Sequence, residues 1–240
     1  MNLHQFELFL FDLDDTLINT RESYHRAQEK ALTTLCQLIP GFSKDLFLQS
    51  LRSYAQQTGS GQYELYFQLF LNEHTDLSPK EGKEVFETMV KTYEEHYWSN
   101  LTEFSDSRNF LNTLHHKHIP MALVSNGETE RQLKKLQHTS LQQFFSPKNS
   151  FISGAFATEQ KKPSPFMVQS ACRNYQILER KTLFFGNTVE DMIAGNSAGT
   201  STAFITESCP LPPNLSANEQ PDKVFSSWAA VIREFETNSL

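Results

Sequence analysis

Four short runs of the chain are apolar at consecutive positions rather than at every second one: FELFLFD (6–12), IPMALVSNG (119–127), TLFFGN (182–187) and TSTAFI (200–205). Weaker runs stand at FIS (151–153) and KVF (223–225). Such runs suit strands covered on both faces, the environment of a parallel sheet. Between them lie stretches with helical spacing of apolar residues, at 107–116, 128–137, 165–176, 190–198 and 227–236. The alternation predicts an α/β fold with a doubly wound parallel-sheet core.

One segment breaks the rhythm. From Asn19 to about Leu101 no strand pattern occurs, while Ala27/Ala31/Leu35, Phe47/Leu51/Tyr54 and Val85/Met89/Tyr93/Tyr97 repeat at helical spacing. An all-helical insertion is expected over 19–101, with 1–18 and 102–240 forming the α/β core. Within it, Thr58-Gly59-Ser60-Gly61 reads as a helix breaker, and Ser78-Pro79 as an N-cap with proline at the first helical position. The proline-rich stretch 209–221 reads as a surface loop.

A chain of 240 residues with 38% apolar content can bury a sizeable core. Its apolar runs are far shorter than the roughly 20 residues needed to cross a bilayer, and the first residues show no signal-peptide pattern. A cytoplasmic location with no membrane partner is expected. Net charge is −7, and the basic pairs Lys134-Lys135, Lys161-Lys162 and Arg180-Lys181 are too short to track a phosphate backbone, so nucleic acid is not an expected partner. An anionic substrate would need a local cation to invert this field. Three scattered cysteines, Cys36, Cys172 and Cys209, suggest neither a disulfide frame nor a zinc site, and oligomeric state is not legible.

The first apolar run ends in FLFDLDDTLI, with three acids within four residues. Strands of an α/β sheet deliver their carboxyl ends to the binding crevice, so Asp12 is expected at its mouth and Asp14 in the following turn. Repelling carboxylates make sense beside a divalent cation such as Mg2+. Each motif further along also suits a local role. Ser125 and Asn126 suit a turn capping the next helix, Lys161 and Lys162 suit a solvated pair, and Thr188 to Asp191 suits a capping box.

Asp12-Leu13-Asp14-Asp15-Thr16 resembles the DxDxT hallmark of the haloacid dehalogenase-like (HAD) superfamily. VSNG supplies the Ser of its second motif as Ser125, KKPSP the Lys of the third as Lys162, and FFGNTVED the acid of the fourth as Asp191, all in family order. The resemblance spans nearly the whole core. It implies a Rossmann-like catalytic domain with a helical cap and a phosphatase that takes a small organic phosphate of nucleotide, sugar-phosphate or phosphoglycolate type. By the same resemblance Asp12 is the nucleophile that becomes an aspartyl-phosphate and Asp14 carries the protons. Ser125 and Lys162 stabilise the transferred group. Thr16, Asn126 and, from the cap loop 58–66, Gln62 are the expected substrate contacts, although Gln62 with Tyr63 and Tyr66 suits plain packing of the cap better. Mg2+ is expected on Asp12, Asp14, Asn187 and Asp191.

Asn187 departs from the family pattern, which has an acid there. An amide oxygen can bind Mg2+ but adds no charge, so weaker metal affinity is expected. A dehalogenase would have little use for Asp14. A phosphomutase of the same superfamily and a phosphate-binding member without turnover remain alternatives.

Overall fold

A computed structural model describes residues 1–41, 43–58 and 61–237. Its strand β1 (Leu8–Phe11) is buried at all four positions, and successive side chains leave on opposite faces. Leu8 and Leu10 join Ala122, Val124 and Phe184 on one face. Phe9 and Phe11 stack on Phe185 on the other, with ring centroids 6.3 and 5.5 Å apart. A run without polar alternation thus finds cover on both sides.

Strands β2 (Met121–Ser125), β3 (Ser150–Ile152), β4 (Thr182–Gly186), β5 (Ser201–Ile205) and β6 (Lys223–Phe225) complete a parallel sheet in the order β3-β2-β1-β4-β5-β6. This is a doubly wound, Rossmann-like α/β core. Strand order reverses beside β1, and the crevice outside the carboxyl ends at such a point is where these sheets bind ligands. Asp12 follows β1 directly, and Asn187 follows β4.

The chain divides into two compact units, Glu22–Asn100 and the remainder. The first is helical: the greater part of α1 (Thr20–Leu38), then α2 (Lys44–Thr58), α3 (Tyr63–His74) and α4 (Pro79–Asn100). Its interior is aromatic, with Phe47 edge-on to Phe70 at 4.9 Å and Tyr63 stacked on Tyr93 at 3.9 Å. The division falls after Arg21 rather than after Ile18, because polar bonds hold the start of α1 to the acidic turn. Thr20 Oγ1 donates to Asp14, and the Arg21 N–H donates to Asp15. Gly59 and Ser60 of the expected loop lie outside the described residues.

In the α/β unit, α5 (Ser105–His116) and α9 (Trp228–Thr237) cover the aromatic sheet face, where Phe110 stacks on Trp228 at 5.7 Å. After α6 (Thr129–His138), helices α7 (Phe166–Tyr175) and α8 (Val189–Ala198) cover the aliphatic face through Met167, Val168, Ala171, Ala194 and Ala198. Among the described residues no helix is long and apolar enough to cross a membrane.

Candidate active site

The turn that follows β1 is folded by its own backbone. Leu13 O accepts from the N–H groups of Thr16, Leu17 and Ile18, and Asp15 takes a positive φ of 59°, a conformation that aspartate tolerates better than most residues. Trp228 Nε1 donates to Thr16 O at 2.8 Å, pinning this turn from beneath. The result aims Asp12, Asp14 and Thr16 into the crevice.

Lys162 is the hub of one cluster. It is 3% exposed, and its ammonium donates to Asp12 Oδ1 at 2.6 Å, Asp191 Oδ1 at 2.6 Å and Val124 O at 3.0 Å. Three donors meet three acceptors, so a buried cation is fully paired. Burial pushes the Asp12 carboxyl up to about 7, helped by the negative charges of Asp191 and Asp14 and opposed by Lys162. Burial works against the Lys162 ammonium, but Asp12 and Asp191 outweigh it and hold the lysine above its usual range.

Asp191 also closes the start of α8. Its Oδ2 accepts from Asn187 N, Thr188 N and Thr188 Oγ1 at 3.1, 3.0 and 2.7 Å, while the Thr188 hydroxyl accepts in return from Asp191 N. The capping box and the lysine bridge thus share one carboxylate, with one oxygen for each. Expected as a metal ligand, Asp191 has both oxygens engaged by protein donors.

Thr16 and Asn126 are placed differently from the expected substrate contacts. Thr16 is completely buried, its Oγ1 3.0 Å from Asp12 Oδ2 and 3.1 Å from Asn187 Oδ1. The Asn126 side chain clamps the Lys162 backbone from both sides: Nδ2 donates to Lys162 O, and Oδ1 accepts from Lys162 N, each at 2.9 Å. Asn126 therefore fixes the lysine. Neither Ser125 nor Asn126 caps α6, whose N-cap is Glu128. Gln62 belongs to the helical unit, where its Nε2 donates to Thr58 O and its N–H to the Tyr66 hydroxyl. Tyr63 and Tyr66 are buried within that unit.

Asp14 sits in a second cluster beside the first. Burial pushes its carboxyl up, but the Lys135 ammonium, with hydrogen bonds from Lys135, Gln132 and Thr20, outweighs burial and holds it below the usual carboxylate range. Gln132 reaches Ser125 as well, so Ser125 joins Asp14 through that amide. Lys135 and Gln132 were not legible in the apolar pattern. A reading of TERQLKKLQH by apolar spacing turns Leu133 and Leu136 inward, whereas the buried stripe is Gln132, Lys135, Leu136 and Thr139. Their i, i+3, i+4, i+7 spacing was visible in the sequence, but lysine and glutamine carry no mark of burial.

Over residues 9–205 the chain matches the haloacid dehalogenase-like hydrolase family, and it belongs to that family. It is 23% identical to the phosphoglycolate phosphatase of Pasteurella multocida, over 97% of this chain and 99% of that protein. With the pyrophosphatase PpaX of Listeria monocytogenes it shares 24% identity over 95% and 96% of the two chains. A HAD family hydrolase from Deinococcus radiodurans, solved with bound phosphate and sodium, superposes with a TM-score of 0.67 at 18% identity, covering 98% of this chain and 96% of that one. This last likeness is one of fold.

Proposed function

We propose that the chain is a Mg2+-dependent phosphatase that hydrolyses a small organic phosphate monoester through an aspartyl-phosphate on Asp12. The observation that carries this reading is the buried Asp12–Lys162–Asp191 bridge at the carboxyl ends of β1 and β4. A structural ion pair needs no third charge and no place at a strand-order reversal. A nucleophile beside a fixed cation needs both.

The donor set fits a hard cation. Thr16 has a single hydroxyl proton, yet its Oγ1 lies within 3.1 Å of both Asp12 Oδ2 and Asn187 Oδ1. One of these buried acceptors is therefore left without that proton, an excess of oxygen lone pairs that Mg2+ would satisfy. The Asn187 amide is turned the useful way, because its Nδ2 points to Ser208 and Cys209 and leaves Oδ1 facing the Thr16 hydroxyl that Asp12 Oδ2 also approaches. Asp12, Asn187 and the Asp14 main-chain carbonyl would hold the ion. Asp191 would contribute charge through Lys162. Bound Mg2+ supplies positive charge that favours ionised Asp12 and offsets the charge of the phosphoryl oxygens.

In the first step an Asp12 oxygen attacks phosphorus and the bond to the ester oxygen breaks; Asp14, held ionised at rest by Lys135 and its hydrogen bonds, must first take a proton from solvent and then passes it to that oxygen. Lys162 stays beside the new acyl phosphate. In the second step Asp14 takes a proton from water as the water oxygen attacks phosphorus, and the departing electron pair restores the Asp12 carboxylate. Relatives that act on phosphoglycolate and that bear the name pyrophosphatase support a compact anionic substrate.

The test is phosphate release from phosphoglycolate, pyrophosphate, sugar phosphates and nucleotides, with and without Mg2+, on wild type and Asp12→Asn. Turnover by wild type that needs Mg2+ and disappears in Asp12→Asn is the expected outcome. Turnover that survives the substitution removes Asp12 as nucleophile. Binding of phosphate without any release makes the chain a non-catalytic member of its family.

A further inference from the structure

The four polar residues that meet below Asp14 are more than a salt bridge and its neighbours. Lys135 is 6% exposed and Gln132 1% exposed, both on the inward stripe of α6. The Lys135 ammonium donates to Asp14 Oδ1 at 2.7 Å and Oδ2 at 2.9 Å, Thr20 Oγ1 adds a bond to Oδ1 at 2.9 Å, and Gln132 Nε2 one to Oδ2 at 2.8 Å. With both oxygens held, the plane of the carboxylate is fixed as well as its position.

Gln132 does a second thing with the same nitrogen. The Asp14 carboxylate oxygen facing Gln132 only accepts, so the amide nitrogen must be the end turned toward it, and that nitrogen also lies 2.7 Å from Ser125 Oγ. An amide nitrogen only donates, and of its three acceptors Ser125 Oγ at 2.7 Å and Asp14 Oδ2 at 2.8 Å are nearer than Asn126 O at 3.1 Å, so Ser125 Oγ accepts there and its own proton points elsewhere. Among the described residues the other contact of that hydroxyl, with Asn126 O, is long at 3.4 Å. The Ser125 proton is thereby left for an anionic oxygen.

Resting on the phosphatase reading, we infer that Gln132 and Lys135 are positioning residues for the reaction: from one helix they set the orientation of the Asp14 carboxylate and the polarity of the Ser125 hydroxyl. The bland alternative is a buried ion pair that only pins α6 to the turn after β1. The two differ in what they do to turnover by folded protein. Misplacing a reacting group by about 1 Å can lower the rate about 10²-fold, whereas a pinning contact changes the folded fraction and leaves the rate per folded site alone.

The experiment compares wild type with Gln132→Met, Lys135→Met and Lys135→Arg, using pyrophosphate and phosphoglycolate as probes. Rates are normalised to the sites that take up beryllofluoride with Mg2+, so that a variant that folds poorly is still read correctly. Expected are falls in kcat of about 10²-fold for the two methionine variants, with KM changed by less than about threefold, and recovery of most of the loss by Lys135→Arg, whose fork can hold both carboxylate oxygens. Active wild type with all three variants within about threefold of it in kcat per site overturns this inference alone. A wild type that takes up beryllofluoride but releases no phosphate from any ester overturns the phosphatase reading, and the inference with it.

Discussion

At position 187 one amide stands where the family pattern has an acid, and the surroundings explain how the fold accommodates it. Asp12 is already held up to about 7 by burial and by its acidic neighbours, with one lysine to offset them. A further buried carboxylate would add repulsion that Lys162, with its three protons committed, cannot answer. The amide keeps the oxygen and omits the charge. Asn187→Asp is therefore expected to lower the thermal midpoint in metal-free buffer and to raise the response to Mg2+, because an ion that binds only the folded state stabilises in proportion to its affinity. Melting curves with EDTA and across a Mg2+ series check both arms. A variant as stable as wild type without metal, and no more responsive to it, would place position 187 outside the reach of the ion.

At the scale of elements, the start of α8 shows how tightly strand and helix are fitted. A Cβ on Gly186 would lie 2.4 Å from Asp191 Cβ and 2.6 Å from its Oδ2, closer than real side chains approach. The last residue of β4 has to be glycine for Asp191 to reach Lys162 and cap its own helix. Gly186→Ala is expected to lower the thermal midpoint and abolish phosphate release together, since the first turn of α8 must shift; a variant with native melting and native turnover would contradict the packing. The same comparison of elements shows why some features were legible and others not. The strands could be read because burial on both faces forces apolar residues at consecutive positions, as in Leu8 to Phe11. Asp12, Lys162 and Asp191 could be singled out because each stands in a recognisable motif: Asp12 directly after β1, Lys162 in the loop before α7 and Asp191 in the first turn of α8. The inward face of α6 could not, because its periodicity is carried by Gln132, Lys135 and Thr139, which apolar patterning assigns to solvent. The clamp of Asn126 on Lys162 was not legible either, because the backbone that it holds lies 36 residues away and leaves no trace in local sequence.

For the molecule as a whole, the chain leaves the α/β unit and returns to it at neighbouring points. Outgoing residues run antiparallel to returning ones, with Asn19 N donating to Thr102 O at 2.8 Å, Phe104 N to Leu17 O at 3.0 Å and a β-bridge between Ile18 and Glu103. The ends of the Glu22–Asn100 unit therefore leave from adjacent points of the α/β unit. That unit keeps its sheet, its aromatic and aliphatic layers, Thr20 and both clusters around Asp12 and Asp14 entirely from residues outside the insertion. Inserted units joined at such neighbouring points can be removed without opening a long loop, since closure entropy depends mainly on the distance to be spanned and the length spanning it. Replacing 22–100 with a short Gly/Ser linker is expected to leave a cooperative thermal transition and uptake of beryllofluoride with Mg2+, while the ranking of phosphoglycolate, pyrophosphate and sugar phosphates as substrates flattens. A shortened chain that melts without a transition would show that the α/β layers need the helical unit to fold. One that melts cooperatively and keeps the parent's substrate ranking would place specificity within the α/β unit, among residues such as Ser125 and Asn126 at the ends of its strands.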